Sequence, residues 1–196
     1  MEMHDKTLNP EQSLKIIDDM IKATKAGISK KSFYFLMWGW LLFFAGISEY
    51  LLRYVYQSQY HWVGWMVIGV VGGIISSIYG ARSNKDVHSV SFIDKFFHYL
   101  WMGFGITLVL ILVGLVLNRV DPGPAIMLVT GYATFVSGMT IKFKPLIYGG
   151  ILFWLFGIMA FTLLPQYSSL IFSLAIMGGY VIPGHLLNTQ EKKSYV

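Results

Sequence analysis

An acidic residue inside an apolar stretch is the first place in this sequence to look for chemistry. Glu49 is the only acidic residue well inside an apolar segment, and Arg53 follows one helical turn later. A carboxylate in a bilayer is costly unless it is paired, and it marks a functional site by default. The spacing of four residues lets Arg53 pair with it. Two interpretations stay open: a structural ion pair near the outer interface, or a proton or cation site that faces a cavity.

A second group of unusual residues interrupts the last apolar segment. Gly178, Gly179, Pro183 and Gly184 lie there, and His185 follows. Proline lacks an amide hydrogen and so frees the carbonyl of Gly179, while glycines let backbones approach closely. The sequence therefore predicts a kink or hinge. Whether it serves packing or forms the broken, ion-coordinating helix of a transporter stays open.

Basic side chains collect at one end of the apolar segments. They are Arg82, Lys95, His98, Lys142, Lys144 and His185. Cations at this level commonly anchor a membrane protein and fix its orientation. The sharper interpretation is a basic cytoplasmic mouth that holds an anionic ligand or a lipid headgroup. Two histidines without a nearby carboxylate do not predict a metal site, and we expect no metal and no cofactor.

The composition predicts an integral membrane protein. Hydrophobic residues make up 55% of the chain and charged residues 13%, with a mean hydropathy of +0.58. A soluble core of this size cannot hide so much apolar surface, so the bilayer must be part of the solvent. The net charge of +5 comes from residues that flank apolar segments, which favours lipid over nucleic acid as the partner. The absence of cysteine excludes disulfides and thiol chemistry.

Six apolar segments have the length that crosses a bilayer, and in lipid each must be helical. We place them at 33–54, 62–81, 96–117, 124–141, 145–164 and 167–187. The predicted fold is all-α, a polytopic bundle of three hairpins. Gly103 and Gly149 are separated by the same distance in sequence as Gly138 and Gly184. That recurrence fits a hairpin repeat, or a chance recurrence of common membrane-helix residues.

A polar arm, residues 1–32, precedes the first segment, and a tail, residues 188–196, follows the last. Within the arm, residues 10–28 predict an amphipathic helix, since Leu14, Ile17 and Ile21 recur at helical spacing. Its apolar face packs on the bundle or the headgroups, or it docks a cytoplasmic protein partner or a second copy of the chain.

The distribution of cations predicts the orientation. Of the 15 lysines and arginines, all but Arg53 and Arg119 lie on the side of the two termini. Cytoplasmic loops carry the excess of Lys and Arg, so both termini are predicted to be cytoplasmic.

Four stretches carry a family resemblance: Ser32–Trp40, Tyr79–Arg82, Lys142–Leu146 and Gly179–Leu187. Together they resemble an uncharacterised group of small six-helix bacterial membrane proteins. The resemblance implies a bacterial cytoplasmic (inner) membrane. It implies no known activity and no catalytic or binding residue.

No enzyme signature is present, neither HExxH nor GxSxG nor a Walker loop. We therefore expect a non-enzymatic regulatory or interaction protein of the cytoplasmic membrane. The alternative is a small transporter or channel-like permease for a neutral or amphiphilic solute. Gly69 and Gly73 have the GxxxG spacing, which predicts helix packing inside the bundle or, alternatively, a homodimer face.

Overall fold

The computed structural model describes residues 32–83 and 92–193, together with Asn9 and Leu14. These residues form helices joined by short turns, and the described part of the chain contains no strand. The predicted all-α fold is confirmed. The amphipathic helix expected at 10–28 and the connection at 84–91 fall outside the described residues, apart from Leu14, which is helical.

The described chain forms six long helices. Helix α1 is Ser32–Val55, and its last residues, Leu51–Val55, form a π-helical turn. Helices α2 to α5 are Val63–Ser83, Phe92–Leu117, Gly123–Thr140 and Lys144–Thr162. A 3₁₀ turn at Pro165–Tyr167 leads into α6, which consists of Ser168–Ile176, a π-helical turn at Met177–Val181, and Ile182–Lys193.

Five of these helices are long and apolar enough to cross a membrane: α1, α2, α3, α5 and α6. Helix α4 has 18 residues and falls short in hydropathy. The reason is its content of glycine, threonine and serine, most of which is buried. Polar residues that face other helices lower the hydropathy of a segment without exposing it to lipid.

The core lies among α1, α4, α5 and α6. Met127, Leu146, Phe153 and Ile176 are wholly buried in it. Among helices α2 to α6, the most extensive contact is that of α4 with α5. Small residues bring the two backbones together there. A side chain at Gly150 would lie 2.6 Å from the Phe135 amide nitrogen. This pair joins the second predicted hairpin to the third.

Helices α2 and α3 lie at the edge of the bundle. Only 6% of the most apolar stretch of α2 and none of that of α3 is buried. Helix α2 is attached to α1, where the Trp38 ring packs against Gly72 and its Nε1–H donates to Ser76 Oγ at 3.1 Å. At Gly69 and Gly73, no heavy atom of another described segment lies within 4 Å of where a side chain would start. The interpretation that this glycine pair packs inside the bundle is therefore wrong, because α2 turns Gly72 inward instead.

Two helices end at basic residues in the left-handed conformation. Lys142 (φ 54°) follows α4 and Arg119 (φ 58°) follows α3. The Phe143 N–H bonds to the Gly138 carbonyl at 2.9 Å, and the Lys142 N–H to that of Met139 at 3.2 Å. This is a Schellman cap, in which glycine is the usual central residue. A cation there interacts favourably with the negative end of the helix dipole, which offsets part of the conformational strain.

Candidate functional site

The carboxylate of Glu49 is positioned by an irregular helix end. The π-helical turn closes with the Tyr56 N–H bonded to the Leu51 carbonyl at 2.9 Å. The chain then reverses at Gln57, whose φ is 48°. The reversal brings the first residues of α2 back beside the last turns of α1. Because π turns inside α-helices are frequent at functional sites, we take this region as the first candidate.

Three side chains surround the Glu49 carboxylate, and we call the four residues the Glu49 cluster. The Trp65 Nε1–H donates to Oε2 at 2.6 Å. Arg53 Nη1 lies 3.9 Å from Oε1, and His61 Nδ1 lies 3.5 Å from the same oxygen. The Glu49 side chain is only 17% exposed, against 46% for Arg53. The indole is therefore the closest partner, and the exposed guanidinium contributes less because water screens it.

His61 adds an unusual feature to the Glu49 cluster. Its Nδ1 is buried and has no hydrogen-bond partner among the described residues, although it faces a carboxylate oxygen. The sequence predicted the Glu49–Arg53 pair but missed His61 and Trp65. Both lie across a turn, 12 and 16 positions away, where helical spacing gives no signal. Their position in an aromatic stretch just after the first span is the one sequence signal that places them near the end of α1.

The Glu49 cluster joins three helices. Trp65 belongs to α2, Glu49 to α1, and the Trp65 ring packs edge-on against Phe172 of α6 at 5.2 Å. The described residues contain no group of three or more His, Asp or Glu side chains that could hold a metal ion. The arrangement links α1 to α2 through a carboxylate that accepts a hydrogen bond from the Trp65 indole.

The predicted kink in the last helix is a π-helical turn. The Ile182 N–H bonds to the Met177 carbonyl, five residues back, and both flanking residues keep helical angles. Pro183 accounts for this irregularity. It has no N–H, so the α-helical hydrogen bond from position 183 to the Gly179 carbonyl cannot form. The helix is thus widened by one residue and is not unwound. Local π adjustment is a known way to accommodate proline in a membrane helix.

Neighbouring groups fill the space beside the glycines of this stretch. A side chain at Gly149 of α5 would start 2.7 Å from the Gly179 carbonyl oxygen, so the two backbones touch. The Phe153 ring fills the space beside Gly179, and Leu36 of α1 covers Gly184. Gly178 is in contact with the Leu152 side chain. The four residues predicted as a hinge therefore lie in a filled interface.

Tyr180, inside the π turn, is the centre of an aromatic group. Its ring lies 5.3 Å from that of Phe153, 5.4 Å from that of Phe35 and 6.5 Å from that of Trp101. Tyr180 thus connects the π turn to α1, α3 and α5.

The predicted basic mouth has a closed apolar centre. All six of its side chains are exposed: Arg82, Lys95, His98, Lys142, Lys144 and His185. His185 packs edge-on against Trp40 at 6.4 Å, and His98 against Tyr99 at 5.7 Å. At the same end Phe143 and Leu187 are buried in the core. The cations therefore lie at the rim of an end that apolar side chains fill.

Comparison of the chain with known protein families, with curated proteins and with solved structures gives no match. The geometry of the chain establishes an all-helical protein with five helices able to cross a membrane.

Proposed function

We propose that the protein is a regulatory or interaction protein of a bacterial cytoplasmic membrane and acts by binding a partner. The supporting observation is the filled centre of the described bundle. Met127, Phe153 and Ile176 have no exposed surface, and Gly179 is closed off by Phe153 and Gly149. A transported solute would have to pass this level. Close packing of this kind favours a protein that works through its surface.

The proposal includes six spans arranged as three hairpins. Helix α4 packs along α5 in the antiparallel direction over most of its length: Gly138 meets Ile147, Gly131 meets Gly150, and Gly157 meets Leu128. Because α5 is long enough to cross a membrane, a helix that packs along it over this distance would lie at the same depth in the bilayer. The polar composition of α4 is compatible with this role, since its small residues face α5.

Both termini are placed in the cytoplasm by the excess of lysine and arginine at their side. The Glu49 cluster then lies at the outer interface and the Lys142–Lys144 turn at the inner one. The resemblance of Ser32–Trp40 and the other three stretches to small bacterial membrane proteins supports the same location.

The partner surface we propose has two parts. Within the membrane it is the exposed flank of α2 and α3, where an open, largely apolar groove of about 450 Å³ follows α3. Its lining residues are Trp101, Met102, Gly105, Ile106, Val109 and Leu110. In the cytoplasm it is the segment 10–28, whose amphipathic pattern suits docking to a protein. A homodimer through either part is included in the proposal.

A permease for a neutral or amphiphilic solute is the second candidate. One observation favours it: Thr130, Thr134 and Ser137 line one face of α4 and are buried. Hydroxyls inside a bundle can hydrogen-bond an uncharged solute. The Glu49 cluster would then serve as a proton or cation site at the outer mouth.

Native mass spectrometry of the protein extracted with its own lipids separates the two candidates. The interaction proposal predicts a stoichiometric complex with a second protein chain, identical or different. If the second chain docks on segment 10–28, deletion of residues 1–28 should remove it; if it docks on the flank of α2 and α3, the same deletion should retain it. Deletion of 194–196 should retain it in both cases. A protein recovered only as a monomer with lipid, or with a bound small solute, would contradict the interaction proposal.

A further inference from the structure

The turn between α1 and α2 places a histidine beside a carboxylate. His61 Nδ1 lies 3.5 Å from Glu49 Oε1 and makes no hydrogen bond within the described part of the chain. That distance is longer than the roughly 2.7–3.2 Å of an ordinary N–H···O hydrogen bond. It is nevertheless short enough for an ion pair if the imidazole is charged. The contact between the two side chains therefore depends on whether His61 carries a second proton.

Arg53 competes with His61 for the same carboxylate oxygen. Arg53 Nη1 lies 3.9 Å from Glu49 Oε1, which is farther than the imidazole nitrogen. The Arg53 side chain is also more exposed than that of His61, so water weakens its attraction to the carboxylate more strongly. A charged imidazole would therefore replace the guanidinium as the main partner of Oε1.

Arg53 has a second contact that does not need the carboxylate. Its guanidinium carbon lies 5.6 Å from the centre of the Tyr54 ring, within the range of a cation–π contact. The other side chains around the carboxylate are uncharged: the Trp65 indole comes from α2, and the Phe172 ring that it touches comes from α6. In the described chain, the charged groups that meet at Oε1 are thus Glu49 itself, Arg53 and, once protonated, the imidazole.

We propose that His61 is a proton-binding site that changes the partner of Glu49. Histidine is the side chain whose charge ordinarily changes between about pH 5 and 8. While the imidazole is uncharged, Arg53 balances the carboxylate from within α1. A proton taken up from the aqueous phase at the turn gives the imidazole an N–H on both ring nitrogens. The Nδ1–H then donates to Oε1, and the guanidinium keeps its contact with the Tyr54 ring.

The exchange of partners alters how the start of α2 is held. Glu49 and Arg53 belong to one helix, so their pairing does not involve α2. His61 follows the reversal of the chain at Gln57 and comes two residues before α2 begins at Val63. A bond from His61 to Glu49 therefore adds to the Trp65 bond that joins α2 to the end of α1. The stabilisation is present at low pH and is lost as the pH rises, whether or not a partner protein binds elsewhere.

A double-variant cycle at two pH values tests this site in the full-length protein. The thermal midpoints of wild type, His61→Phe, Glu49→Gln and the double variant are measured in detergent at about pH 5.5 and about pH 8, which lie on either side of the usual histidine range. Phenylalanine keeps a ring and removes both nitrogens, and glutamine keeps an acceptor for Trp65 while removing the charge. At the lower pH the two effects should differ from additivity by about 2–4 °C, as for one charged hydrogen bond in a protein of this length. At the higher pH they should add.

Arg53→Gln gives a second measurement on an exposed residue. The exchange of partners predicts that this substitution lowers the midpoint more at about pH 8, where arginine balances the carboxylate, than at about pH 5.5, where histidine does. The matched control is His185→Phe, because that side chain packs against Trp40, nine residues before Glu49 on α1. Its effect should add to that of Glu49→Gln at both pH values.

Coupling of equal size at both pH values would mean that His61 only packs against Glu49, and it would overturn the proposal. The proposal is equally wrong if the effects of His61→Phe and Glu49→Gln add in full at the lower pH. A loss in Arg53→Gln that does not change with pH would also contradict the exchange of partners. None of these measurements involves a second protein chain, so their failure is distinct from a failure of the proposed function.

Discussion

Gly150→Ala should destabilise the bundle more than alanine at any other glycine of the α4–α5 contact. Its Cβ would lie 2.6 Å from the Phe135 nitrogen and 2.8 Å from the Gly131 oxygen, both main-chain atoms of α4. A backbone cannot rotate away as a side chain can, so α4 and α5 must separate. Inserting an extra methyl group into a well-packed core typically lowers stability by about 1–3 kcal/mol. We expect Gly150→Ala to be at the upper end of that range. The measurement is the free energy of unfolding from mixed micelles with increasing denaturing detergent.

The matched control for this prediction is Gly114→Ala in α3. Within residues 32–83 and 92–193, no heavy atom outside the α3 backbone lies within 4 Å of a side chain built there. Alanine is favoured over glycine in a helix by about 1 kcal/mol in water, so this variant should be neutral or slightly stabilised. Equal losses at both positions would mean that the α4–α5 contact is not tight and that the proposed core is incorrect.

Removing the Glu49 carboxylate should give the second large effect. Glu49→Ala leaves the Trp65 N–H, which now donates at 2.6 Å, without an acceptor in a half-buried site. A donor left unsatisfied in this way costs roughly 1–3 kcal/mol. Arg53 and His61 lose their carboxylate in the same variant, but their exposure reduces what they add. The same unfolding titration reports the loss.

Glu49→Gln separates the hydrogen bond from the charge. The amide oxygen can still accept from Trp65, so most of the stability should return. Trp65→Phe keeps the ring on Phe172 but removes the donor, and in that background Glu49→Ala and Glu49→Gln should differ little. If Glu49→Ala were as stable as wild type, the Glu49 cluster would be an incidental surface contact that does not stabilise the packing of α1 on α2.

The sequence was informative wherever one residue decides the local structure. Apolar length predicts helices, because a chain in lipid has no other way to satisfy its backbone. Pro183 and its glycines mark the irregular turn of α6 since proline removes an amide wherever it occurs. The Glu49–Arg53 pair follows from helical spacing alone.

Contacts between segments far apart in the sequence are not specified by helical spacing or apolar length. His61 and Trp65 reach Glu49 through a turn whose geometry the sequence does not specify. Gly69 and Gly73 have the packing motif, yet α2 presents Gly72 to Trp38, because the rotation of a helix depends on its neighbours. The extensive packing of α4 on α5 was not predicted either. Three consecutive hairpins suggest that the closest pairs are α1 with α2, α3 with α4, and α5 with α6.

The protein contains no cysteine, which allows a direct test of our proposal that the bundle is closed to water at mid-membrane. Single cysteines are placed at the wholly buried Thr134 and at Ser173, with Gln57 in the exposed turn as the positive control and Thr107 on the outer face of α3 as the lipid-facing control. A membrane-impermeant maleimide is then added from either side of sealed vesicles. The closed bundle predicts modification at Gln57→Cys from the outer side and none at Thr134→Cys, Ser173→Cys or Thr107→Cys. Modification of the folded Thr134→Cys protein from water would reveal an aqueous path through the centre, contradict the interaction proposal and favour a permease.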